Sequence, residues 1–245
     1  MNIDNLLLVF IAMSLTFLIS CRNDSARKIS PNLVNGVLDL KNWDFEKDGP
    51  INLIGEWEFY WEKHHNPNDF YSSNPPEKSG LIKVPGCWNG YLLEGKQLSG
   101  DGYATYRLKV LMNDQKGKFA FNRLDIGTAF TAYVNGEKIS SAGVAGKTFK
   151  TTVPDFFPEV SDFISRTNQV EIILQISNFH HRLGGPWEVI RLGREKEIRK
   201  IRERSLVFDI FLCGSTFIIG LYHLPFFFLE ERTNHLFILA YSVSR

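Results

Sequence analysis

Residues 206–229, LVFDIFLCGSTFIIGLYHLPFFFL, form an almost unbroken apolar run. A hydrocarbon core about 30 Å thick is crossed by a helix of roughly 20 apolar residues, so this run is long enough to span a membrane. A second run, His235 to Val243, begins after the polar break Glu230–Asn234, and the chain ends at Arg245. That second run is too short to span. The expectation is a water-soluble domain followed by a first transmembrane helix at 206–229. The start of a second follows at 233–245, with the rest of a membrane bundle beyond it.

The other apolar stretch is residues 6–20, LLLVFIAMSLTFLIS. Its length suits the core of a signal peptide better than a spanning helix, although no Lys or Arg precedes Leu6. Leu18-Ile19-Ser20-Cys21 has the form of a bacterial lipobox, which makes Cys21 a candidate lipidation site and residues 1–21 a leader. The alternative is that Cys21 merely follows an apolar run. Of the other two cysteines, Cys213 lies in the membrane run, so Cys87 is alone in the soluble domain and no disulfide framework is expected. No Cys/His zinc spacing is present, and no cofactor is expected.

Between the apolar ends lies a polar, aromatic-rich region, 30–193, long enough for one domain with a sizeable core. The formal net charge of +1 argues against nucleic acid as a partner. Period-two alternation marks strands. Trp57, Phe59 and Trp61 share one face, as do Tyr106, Leu108 and Val110. Phe119 pairs with Phe121, and Val170, Ile172, Leu174 and Ile176 line a fourth strand with Glu171, Gln175 and Ser177 opposite. Asn135-Gly136 reads as a hairpin turn, since both residues tolerate positive φ. The predicted fold is mainly β, an antiparallel β-sandwich or jelly roll, followed by a transmembrane α-helix. Residues 194–204, REKEIRKIRER, are good helix formers and predict a juxtamembrane helix, either a stiff transmission rod or a solvated spacer.

Two resemblances sharpen this. Leu124–Gly146, Val170–Ser177, Gly55-Glu56-Trp57 and Val84-Pro85-Gly86-Cys87-Trp88-Asn89 resemble the galactose-binding-like jelly roll that serves as the sugar-binding domain of glycoside hydrolase family 2 enzymes. That likeness covers roughly 36–193. Gly102–Arg107, Ser177–Trp187 and Gly220–His223 are similar to the bacterial seven-transmembrane receptors with diverse intracellular signalling modules. The order of leader, jelly roll, basic helix and first spanning helix matches that family. The resemblance implies an exported sensory domain in a bacterial inner membrane, with the jelly roll periplasmic or extracellular. Five further helices and any output module are absent, so no enzymatic output is carried over. Against that orientation, the basic stretch Arg194–Arg204 precedes the span, and the positive-inside rule alone would place it in the cytoplasm.

The candidate ligand-binding residues are Asn178, His180, His181, Arg182 and Trp187. They follow a strand directly, and binding residues gather in such loops. Their donors, acceptors and flat ring suit a small polar ligand such as a carbohydrate. The structural alternative is a Gly184-Gly185 turn with polar side chains capping strand backbones. Trp88, Asn89, Asp101 and Tyr103 form a second candidate surface, with core packing and a turn as their alternative. Adjacent His180-His181 and His64-His65 point to opposite faces of a strand and make poor chelators. Glycoside hydrolysis needs two carboxylates across the bond. Glu56 and Glu58 lie on one strand face and Glu188 stands apart, so no catalysis is expected. There is no phosphate loop or nucleophile elbow either. Asp209 and His223 in the span are expected to serve helix packing, and a homodimer could form through the membrane helices. The expected function is ligand sensing for a membrane receptor. The alternatives are an envelope-anchored carbohydrate-binding lipoprotein module and a non-catalytic fragment of a family 2 glycoside hydrolase.

Overall fold

The computed structural model describes residues 28–113, 116–123, 126–156 and 159–243, without side chains at 123, 159 and 226–243. The leader and Cys21 lie outside the described residues, as do Leu124 and Asp125. Residues 31–245 form one compact unit.

Fourteen strands are described. They are β1 (Leu33–Val34), β2 (Val37–Leu40), β3 (Ile51–Asn52), β4 (Gly55–Trp61), β5 (Gly80–Val84), β6 (Leu92–Leu93) and β7 (Lys96–Gln97). The remainder are β8 (Gly102–Met112), β9 (Gly117–Arg123), β10 (Ala129–Val134), β11 (Glu137–Ala142), β12 (Glu159–Ser165), β13 (Gln169–Asn178) and β14 (Arg191–Arg194). Among the described residues they build an eight-stranded sheet in the order β11-β10-β13-β8-β2-β1-β4-β5. A four-stranded sheet runs β12-β9-β14-β3, and β6 and β7 form a separate ribbon.

The alternating residues predicted to face inward do so. Trp57, Phe59, Tyr106, Leu108, Val170 and Ile172 of the larger sheet share one buried cluster with Phe119, Phe121 and Leu192 of the smaller. Phe45 closes edge-on against Phe119, with ring centroids 5.1 Å apart. Burying an aromatic or branched side chain of this size contributes about 1.5–3 kcal/mol, which makes this seam the main source of cohesion.

The sheet departs from the expected all-antiparallel order at two pairings. β8 is eleven residues long. Its first half pairs with β4 and its second with β2. The β1–β2 hairpin fills the space that β4 leaves, and β2 then runs parallel to β8 and β1 parallel to β4. The hairpin turns at Asn35 and Gly36, with φ of 53° and 73°, the pair of positive values a two-residue turn of this hand requires. The predicted Asn135-Gly136 turn is present between β10 and β11 with the same signs.

β13 is buried on both faces. Its outer face is covered by residues 62–79, which include a 3-10 turn at Pro67–Tyr71. Tyr60, Phe70 and Ile173 make a small second cluster there. Arg107 sits beside it. Its Nε and Nη2 donate to Glu171 Oε1 at 2.8 and 2.6 Å, its Nη1 donates to Glu58 Oε2 at 3.2 Å, and its guanidinium lies 4.3 Å over the Phe70 ring. Tyr71 donates to the other oxygen of Glu171.

β14 passes without a loop into a single helix, α1 (Glu195–Val243). It continues through Glu230–Asn234, the polar break in the sequence, and carries Pro225 inside it. Its first turns lie across the four-stranded sheet, touching β14, β9 and β12. Ile198 is fully buried there, Arg199 pairs with Asp162, and the Arg194 guanidinium lies 4.5 Å over Phe119. From Glu203 to Pro225 the helix is almost bare of protein. Glu195–Pro225 is long and apolar enough to cross a membrane, with a mean hydropathy of 1.8 in its most apolar window. The hydroxyls of Ser215 and Thr216 donate to the carbonyls of Phe211 and Leu212 at 2.8 and 2.9 Å. Neither of these two hydroxyl protons then needs a partner from lipid.

Candidate functional site

Register fixes where the candidate loops lie. The start of β9 pairs with the end of β12, and β12 reaches the start of β13 through residues 166–168 alone. The helix departs from the end of β14, where Arg194 faces Phe119 near that same end of β9. Asn178, at the far end of β13, pairs with Gly102 at the start of β8. The predicted site residues therefore gather at the end of the sandwich opposite the one from which the helix departs.

At that end Asn178 is an organiser. It is fully buried. Its amide nitrogen shares two protons among the carbonyls of Gly100, His181 and Leu183, at 2.8, 2.7 and 2.9 Å, and its oxygen accepts from the His181 amide at 3.2 Å. Asn89 does the same from the facing loop. Its Nδ2 donates to the Arg182 carbonyl at 2.8 Å, and its Oδ1 accepts from the Gly184 amide at 2.9 Å. Asn178 thus ties the 178–184 loop to Gly100, and Asn89 ties the same loop to the turn beside Trp88. Trp88 is buried against Trp61 with centroids 5.3 Å apart, and its Nε1 donates to the Gly100 carbonyl. Trp88 and Asn178 are buried, and Asn89 is half-buried beside them.

The remaining candidates divide. Tyr103 is half-buried and meets His64 edge-on at 4.9 Å. Burial depresses His64 below the usual imidazole range. Its Nε2 lies 3.3 Å from Ser177 Oγ, whose own proton goes to the Gly146 carbonyl, and 3.4 Å from the Ile176 carbonyl. Asp101 and Arg182 are exposed beside the tied loops. His180 and His181, adjacent in the chain, turn to different neighbours: His180 stacks on Phe149, and His181 lies against Trp187.

Trp187 and His181 open onto a cavity of about 520 Å³, completed by Gly127, Thr128, Pro154, Asp155 and Phe156. Gly127 lets the chain pass beneath Trp187, since a Cβ there would fall within the indole ring. Thr128 is pinned by its amide to the Ser177 carbonyl at 2.9 Å, and its own carbonyl accepts the Asp155 amide at 3.1 Å. The end of β13 thereby places a carboxylate and a hydroxyl beside two aromatic faces, the mixture of convergent polar groups and apolar wall typical of a small-molecule site. Sequence reasoning reached His181 and Trp187 and missed the other five. Pro154-Asp155-Phe156, a turn-forming pair before an aromatic, was the available signal. Among the described residues no three His, Cys, Asp or Glu side chains converge on a point that could hold a metal ion.

No family model matches the chain, and no curated protein does. Solved structures similar to it include three glycosidases. A family 2 β-galacturonidase from Eisenbergiella tayi bound to galacturonate shares 16% identity over 59% of this chain and 24% of that enzyme, with a TM-score of 0.40. A β-glucuronidase from an uncultured Clostridium shares 12% over 60% and 29%, at 0.45. One from Ruminococcus gnavus shares 15% over 58% and 27%, at 0.45. The likeness is to about a quarter of each enzyme's length and is one of β architecture, saying nothing of the chemistry of the cavity.

Proposed function

We propose that this protein is a carbohydrate-binding β-sandwich of the galactose-binding-like jelly-roll type, anchored by its helix in a bacterial membrane with the sandwich on the periplasmic or outer side. The observation that carries the reading is the cavity between Trp187 and Phe156. An indole face can cover the apolar face of a sugar ring, while Asp155, Thr128 and His181 meet its hydroxyls. The reading is of binding without hydrolysis. Asp155 supplies the lining with a carboxylate that can accept from a sugar hydroxyl.

The test uses intact spheroplasts carrying the full chain and a panel of membrane-impermeant fluorescent glycans. Retention of at least one glycan is expected, with Trp187→Ala weakening it on the order of 10-fold or more. Labelling that appears only after detergent lysis would refute the orientation. No labelling in either state would refute carbohydrate binding.

A second reading, the sensory region of a seven-transmembrane receptor, is favoured by the junction. β14 enters α1 without a loop, and Ile198 and Arg199 hold the first turns to the sheet. A domain that only tethers a sugar needs no such seating.

A further inference from the structure

Two aromatic pairs meet across one peptide bond at the open end of the sandwich. His180 lies nearly flat on Phe149, with centroids 4.3 Å apart and planes at 25°. His181 sits against Trp187 at 5.3 Å and 48°. The two pairs are carried on one dipeptide, and the loop that bears Phe149 runs through the Val144–Val153 pairing into Pro154, Asp155 and Phe156 of the cavity lining. Phe149 is 63% exposed, as are Phe156 at 64% and the nearby Val144 and Val153 at just over half. All four belong to the one segment 144–156, and exposed apolar side chains grouped on a segment are candidates for an interaction site.

The loop that carries Phe149 is tied rather than loose. Val144 and Val153 exchange backbone hydrogen bonds of 2.8 and 3.1 Å at its neck. The Gly146 carbonyl accepts Ser177 Oγ at 2.6 Å, and the hydroxyls of Thr148 and Thr151 meet at 2.9 Å. Charge separates the platform from the cavity. Lys147 and Lys150 bracket Phe149, Arg182 follows the histidines, and all three are exposed. The carboxylate of Asp155 belongs to the cavity.

We propose that the Phe149–His180 platform is a second subsite continuous with the cavity, and that the ligand is an acidic oligosaccharide, one ring held against Trp187 and a uronate-type residue on the platform. This rests on the carbohydrate reading above and adds chain length and charge to it. A polymer laid over two aromatic faces gains from both, whereas a single sugar uses one.

The experiment titrates the full chain in nanodiscs with oligogalacturonides of one to six residues and with neutral gluco-oligosaccharides of the same lengths. Affinity is expected to climb between one residue and three in the acidic series and to exceed that of the neutral series. Phe149→Ala is expected to cost about 2- to 10-fold for the longer acidic chains and nothing for the single sugar. Lys147→Ala with Lys150→Ala should narrow the gap between the series. Length-independent affinity, or full-length binding unchanged by Phe149→Ala, would overturn the second subsite. Equal affinity for both series would overturn the acidic class. If no sugar of any length bound, the carbohydrate reading itself would fall. Phe149 is a loop-tip residue, so its replacement leaves the core intact. Phe156→Ala, which should weaken every member of the series, controls for the cavity.

Discussion

Arg107 holds Glu171 through two nitrogens and Glu58 through a third, on a sheet face covered by residues 62–79. The Glu171 side chain is 2% exposed. A carboxylate that deep is tolerated because a cation and the Tyr71 hydroxyl satisfy it. Arg107→Met would keep much of the stem's packing on Phe70 and leave Glu171 buried without its counter-charge. The expected loss is roughly 3–5 kcal/mol in urea unfolding of the full chain in detergent. Arg107→Met combined with Glu171→Leu should recover most of it, because the cost lies in the orphaned charge. If the single change were neutral, the network would be only a surface decoration. In sequence, Glu171 lies opposite the apolar set of an alternating strand, and alternation does mark the two faces correctly. What it cannot show is that an irregular segment with no period of its own lies over the second face. Asn178 and Asn89 pose the same difficulty. Their residue types suit a sugar or a loop tie equally, and only their distances to Gly100, Arg182 and Leu183 show the tie.

The start of α1 is joined to the sandwich from outside. Ile198 is fully buried in turns that touch β9, β12 and β14, and covering an isoleucine contributes about 1.5–3 kcal/mol. Two shortened chains isolate this contribution. Residues 30–204 keep the seated turns, and residues 30–194 lose them. The longer is expected to melt roughly 3–12 °C above the shorter, at 2–4 °C per kcal/mol for a domain of this size. Ile198→Asp in the longer chain should remove the advantage. Equal melting temperatures would make the stretch the solvated spacer that its charged composition also allows. The sequence pattern predicted helix here from good formers and from Ile198 and Ile201 three apart. It had no means of distinguishing a rod packed on a sheet from one standing free. Strands were more legible. β4, β8, β9 and β13 follow from alternation, and β10–β11 from Asn135-Gly136. The Asn35-Gly36 hairpin carries the same turn signal, but its strands are two and four residues long, too short for a period to stand out.

At the scale of the whole molecule, the sandwich separates two active ends. The cavity and its platform lie where β13 ends, and the helix leaves where β14 ends. Between them run β13, buried on both faces, and the β9–β14 pair, which carries Phe121 and Leu192 in the core. Thr128 hangs from the Ser177 carbonyl at one end of this framework, and Arg199 holds Asp162 at the other. A ligand can shift the helix only if it binds one seating of those turns better than another. Hydrogen exchange on the full chain in nanodiscs separates an anchor from a sensor. For an anchor, saturating oligosaccharide slows exchange in 127–128, 146–156 and 178–187 and leaves 195–204 unchanged. For a sensor, the amides of 195–204 also change, and Asp162→Ala, which removes the Arg199 partner, abolishes that distant response while leaving the protection around the cavity in place. The double-sided burial of β13 and the loopless entry of β14 into α1 are the route such a distant response would take. Protection confined to the cavity loops would make the seating of α1 a matter of stability alone.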